Sequence, residues 1–141
     1  MSRVINSETA GKERNRMTKA VVLAIRELMQ QNKPDSHTRD YAAFIAVALK
    51  AIDESIERTV TPWEKRDYWV KADKFRMEWD WTKQLGEKMR NATLAEDWGE
   101  IAVLAAQVGQ KLSKVDVSPR HRMGKPWVGA WQRLQELEQA D

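Results

Sequence analysis

The chain has 141 residues, seven tryptophans, a net charge of +3 and no cysteine. That length suffices for a real core and fits one domain over residues 1–141, while the missing cysteines exclude a disulfide framework, thiol catalysis and a thiolate metal site. The longest apolar run, Ala42 to Leu49, is far short of the roughly 20 residues a bilayer span needs, and Val21–Ile25 is too short and too late for a signal peptide. A cytoplasmic protein without a membrane partner is expected.

Charge is distributed in blocks of alternating sign. Residues 1–33 hold seven basic and three acidic groups, and residues 114–126 hold four basic and one acidic group. The blocks 34–62, 92–113 and 127–141 each come to −2, and 63–91 to +2. Alternation of this kind favours attraction between neighbouring helices. The basic balance is thus weak evidence for an anionic partner unless the two most basic blocks meet on one surface.

Residues 1–6 read as a short lead-in. A helix over about 7–31 follows, capped by Asn6 or Ser7, with Met17, Val21, Ala24 and Leu28 as its core stripe. Lys12, Arg16 and Lys19 share another face, with Arg14 grouped beside them. These four are either a solvated face or phosphate contacts. Gly11-Lys12 is no phosphate-binding loop, since the first glycine, the Ser/Thr and a preceding strand are all missing.

Asn32 to Ser36 is a turn. The next helix, about 37–59, is apolar around most of its middle, with Tyr41, Ile45, Ala48, Ile52 and Ile56 in one stripe, and should be well buried. Asp53, Glu54 and Glu57 then fall near its C-terminus, where the helix dipole disfavours acids.

A central helix is expected over 62–90, around which the chain is organised. Thr61 and Glu64 read as a capping box with Pro62 at the first helical position. Tyr68, Ala72, Phe75, Trp79, Thr82, Gly86 and Met89 form one stripe; Trp63, Val70, Met77, Trp81 and Leu85 form a second. Two apolar stripes imply two neighbours. Trp69 belongs to neither and lies among Lys65, Asp73, Arg76, Asp80 and Lys83. Either another segment, such as the C-terminal helix, covers it, or it is an exposed anchor for a partner.

Thr93 and Glu96 read as a second capping box, opening a helix over about 94–112 with Leu94, Trp98, Ile101, Ala105, Val108 and Leu112 in its stripe. Residues 114–126 form a basic linker. A short amphipathic helix over about 127–139 ends the chain. No stretch reads as strand. The expected fold is all-α, an antiparallel four-helix bundle of up-down topology with the short C-terminal helix packed back on it.

No catalytic, cofactor-binding or metal-binding constellation emerges. The only histidines, His37 and His121, fall in turns or loops, and neither follows a glutamate by three as di-metal bundles require. The leading expectation is a non-catalytic protein acting through protein–protein contacts at Trp69, Arg76 and Lys65, a homo-oligomer being one version. The alternative is non-specific nucleic-acid binding through Lys12, Arg14, Arg16, Lys19, Arg120, Arg122 and Lys125. A lesser alternative is a small-ligand or enzyme pocket lined by Trp79, Trp81 or Trp98.

Overall fold

The structure, a computed structural model, describes residues 7–140. Among the described residues it is all-helical: α1 (Ser7–Met29), α2 (Ser36–Lys65), α3 (Trp69–Trp79), α4 (Trp81–Leu94), α5 (Trp98–Lys111) and α6 (Ala130–Ala140). None of these helices is long and apolar enough to cross a membrane. The lead-in over 1–6 lies outside the described residues, and so does the side-chain cap expected at Asn6 or Ser7.

The organising element is α2, not the Thr61–Asn91 stretch. It packs against each of the other five helices. The reason is its composition. Tyr41, Ile45, Ala48, Ile52 and Ile56 are all buried, and so are Phe44, Leu49 and Val60 around them. A helix apolar around most of its middle buries that surface only with neighbours on several sides. Its start is fixed by Asp35, whose carboxylate accepts from the N–H groups of His37 and Thr38 while the Thr38 hydroxyl accepts from the Asp35 N–H. This reciprocal cap places His37 in the first helical turn rather than in a loop.

Both expected Thr-x-x-Glu boxes are overturned, for a shared reason. Thr61 lies inside α2 and donates its hydroxyl to the Glu57 carbonyl at 2.7 Å, and Glu64 is taken by Arg76. The helix therefore runs through Pro62 and stops only at Lys65. Three N–H bonds from Arg66, Asp67 and Tyr68 to Trp63 and Glu64 close the turn, with Asp67 at φ 65°. Thr93 is likewise internal, buried in α4 with its hydroxyl on the Met89 carbonyl. Asp97 caps α5 instead, accepting from the Glu100 N–H at 3.2 Å, and Glu96 pairs with Arg39 at 2.7 Å. A Thr hydroxyl satisfied by the preceding turn's carbonyl is compatible with a continuing helix, and that option won twice. The extension of α2 also removes the conflict between its acids and the dipole, because Asp53, Glu54 and Glu57 now sit more than a turn from the helix end.

The helix expected over 62–90 is two helices. They meet at Asp80, which keeps helical dihedrals (φ −57°, ψ −30°). The buried Thr82 donates to the Trp79 carbonyl at 2.7 Å, a back-bond that bends helices. Gly86 lies against Leu49 of α2, where an added Cβ would come within 3.1 Å of the Leu49 Cβ. This is the close approach that glycine permits.

α6 does pack back, on α2. Asp40 accepts from the N–H groups of Gly129 and Trp131 at 3.2 and 2.9 Å, while Trp127 meets Tyr41 edge to face at 5.4 Å. α5 buries Ile101, Leu104, Ala105 and Val108, and leaves Ala102, Val103 and Ala106 open.

Candidate functional site

Two surfaces stand out. Arg14 and Arg76, both expected to face partners, are consumed internally. Arg14 is buried, 7 % exposed, and donates to Ser55 at 3.3 Å and Thr59 at 2.9 Å. Its guanidinium lies 4.8 Å from the Phe75 ring centroid and 5.5 Å from that of Trp79. Desolvation lowers its pKa, opposed by Glu78 and reinforced by Arg58. At 100° per residue Arg14 is about 200° from Lys12, nearly opposite it, which is why it turns inward with Ala10 and Val21.

Arg76 donates to both Glu57 and Glu64 at 2.8–3.1 Å. Those hydrogen bonds raise the arginine's pKa and lower those of both glutamates. With Trp63 against Phe75 at 5.3 Å and Lys71 over Trp63 at 4.2 Å, they clamp α3 to the end of α2. Arg58 pairs with Glu13, and Arg90 approaches Glu138 at 3.6 Å.

The first surface is the outward side of α3. Ala72 is buried beneath the helix and Phe75 and Trp79 are half-buried. Val70 and Met77 of the second stripe face solvent at 69 % and 75 % exposed, and at the start of the helix Tyr68 is 52 % and Trp69 55 % exposed. The reading in which another segment covers Trp69 is thereby corrected. Of the second expected stripe, Leu85 finds a place in the core and Trp81 packs partly against it, both on α4. Along the open part the exposed Lys65, Arg66, Lys71 and Lys74 are interleaved with the exposed Asp67, Asp73 and Glu78.

The second surface joins the two basic blocks. Lys12, Arg16 and Lys19 of α1 face Ser118, His121 and Arg122 of the connecting segment across a shallow groove of about 470 Å³. Arg120 and Lys125 are exposed but do not line it. Arg16, Lys19 and Arg122 form no ion pair with the described residues. The segment is held in shape locally: the Met123 N–H donates to His121 Nδ1 at 3.0 Å, the Arg120 N–H to the Ser118 hydroxyl at 3.1 Å, and Arg122 adopts φ 57°.

Trp79 and Trp98 line separate grooves, and Trp79 stacks on Trp81 at 6.2 Å. A cleft of about 300 Å³ between α2, α4 and α6 has an apolar floor of Val47, Leu134 and Leu137. Its rim mixes Lys50, Lys83 and Arg90 with Asp53, Glu54, Glu87 and Glu138. Among the described residues no group of three or more His, Asp or Glu is placed to hold a metal ion. Compared with known proteins, the chain matches no family model, no curated protein and no solved structure.

Proposed function

We propose that the protein is a non-catalytic binding protein whose α3 docks onto another protein. The observation that carries this reading is the open half of the second stripe. Val70 and Met77 stand one above the other on α3 with Tyr68 and Trp69 at its start, and all four are exposed. An apolar stripe implies a neighbour, and exposed Trp and Tyr beside it have hot-spot composition. The exposed charges around it are of both signs, Lys65, Arg66, Lys71 and Lys74 with Asp67, Asp73 and Glu78, so the fitting partner has an apolar groove with a mixed-charge rim.

The scaffold beneath is inferred to be an antiparallel bundle of α1, α2, α4 and α5. Contacts run α1–α2, α2–α4, α4–α5 and α5–α1, which closes a ring. Arg14 meets Thr59 while Thr38 meets Gln31, which supports opposed directions for α1 and α2; Leu49 meets Gly86 of α4 and Glu57 meets Arg76 of the preceding α3, in the same sense.

The test is photo-crosslinking from benzoylphenylalanine at position 68, in cells, with position 103 on α5 as control. The adduct is identified, and the purified partner is titrated against the full chain. Expected is an adduct specific to position 68, with affinity falling at least tenfold in Met77→Asp, as burial of an unpaired charge requires, and unchanged in Arg16→Glu. Identical adducts from both positions, or a partner indifferent to Met77→Asp, would overturn the reading. A concentration-dependent dimer abolished by Met77→Asp would replace the foreign partner with a second copy.

A further inference from the structure

We propose that the groove between α1 and the 118–123 segment binds the phosphate backbone of nucleic acid, without reading sequence. This site is separate from the α3 surface and does not depend on it.

The groove gathers cations from both basic blocks, and no carboxylate lines it. Arg14, Arg39, Arg58, Arg76 and Arg90 each have an internal partner. Arg16, Lys19 and Arg122 have none among the described residues, yet they come from segments a hundred residues apart in the chain and line one groove. Had the alternating charge blocks served only to hold helices together, these groups would face carboxylates. Glu13, three residues before Arg16 on α1, pairs with Arg58.

Placement supports a polymer rather than a single anion. Arg16 and Lys19 stand about one turn apart on α1, about 4.5 Å at 1.5 Å per residue, so that wall carries a row of charge. Arg122 approaches from the opposite wall, and the Ser118 hydroxyl is a further neutral hydrogen-bonding group on it. Backbone contacts of this kind position a duplex but carry no base information. No tryptophan, tyrosine or phenylalanine lines the groove, so it has no platform on which bases would stack. The same poverty of apolar and aromatic lining, with Met123 the one large apolar residue, argues against a protein surface as occupant.

The experiment is fluorescence anisotropy of an end-labelled 16-base-pair duplex titrated with the full chain at 50 and 200 mM salt. Three to four phosphate contacts predict a loss of affinity of about 40- to 150-fold between the two salts. The paired charge reversal Arg16→Glu with Arg122→Glu should weaken binding more than tenfold at low salt and flatten the salt dependence. Lys65→Glu with Lys74→Glu makes the same change in net charge on the α3 side and should leave affinity within threefold. All four positions are exposed, and far-UV helicity verifies each fold. Equal losses from both pairs, no binding by the unaltered chain at 50 mM, or competition by polyglutamate equal to that of unlabelled duplex would overturn the proposal. The last outcome would assign the groove to acidic protein instead. None of these results touches the crosslink from position 68, so the two readings fail separately.

Discussion

Helices α3 and α4 adjoin at Asp80 and carry the same two apolar stripes, yet they live in different surroundings. On α4, Leu85, Met89 and Ala92 are buried and Trp81 is half-covered. On α3 only Ala72 is fully buried, and Val70 and Met77 stand in solvent. The difference arises at the bend. Gly86 lets α4 lie close on Leu49, while α3 packs on the C-terminal part of α2, around Glu57 to Glu64. It is held there by Arg76 and by the Trp63–Phe75 contact. Apolar spacing thus states that a face needs cover; it does not state that the same chain supplies it.

The comparison is tested most strongly by truncating one methionine on each helix. Met89→Ala removes a fully buried side chain and should cost about 2–5 kcal/mol in urea unfolding. Met77→Ala, on an exposed face, should stay within about 0.5 kcal/mol. Similar costs for both would mean that α3 is covered in solution, by self-association or otherwise.

A smaller contrast sets Arg14 against Arg16. Arg14→Ala removes two buried hydrogen bonds and the guanidinium between α1, α2 and the aromatic rings of α3, so a loss of about 1–3 kcal/mol is expected. Arg16→Ala should again lie within about 0.5 kcal/mol. Equal effects would contradict the inward course of Arg14.

The smallest effect concerns acid. Arg76 depresses the pKa of Glu57 and Glu64 below their unfolded values. Their contribution is therefore complete above the unfolded glutamate pKa, near about 4.3, and is lost as pH falls through the lower folded values. Unfolding midpoints of the unaltered chain and Arg76→Ala should differ by a constant amount above about pH 5.5 and converge towards pH 3, screened in part because the groups are near the surface. A gap that widens on acidification would refute the clamp.

Helical content and the core stripes were legible in the sequence because period 3.6 is a strong signal over long segments. Boundaries were not. Thr61 and Thr93 each sit three residues before a glutamate, a spacing that suits a cap and a mid-helix back-bond equally well; tertiary contacts of Glu64 and Glu96 with arginines decided against the cap. Asp35 and Asp97 were the true caps. Of the candidate residues, Lys12, Arg16, Lys19 and Arg122 meet in one groove, which no local pattern reveals because it joins distant segments. Arg14 was legible in principle. It lies in phase with Ala10 and Val21, and Ser55 and Thr59, a turn apart on an otherwise apolar part of α2, are the polar gap that receives it.

Asp40 has a consequence for how the last helix finds its seat. Greasy contacts between two helices tolerate sliding, since one leucine replaces another at nearly the same energy. A carboxylate that accepts from Gly129 and Trp131 at once does not slide. A shift of one turn, about 5.4 Å, would part it from both donors and leave two helix-start amides unanswered. The single acid at the second turn of α2 thereby indexes α6, as a pawl sets a ratchet, and turns an adhesive contact into an addressed one.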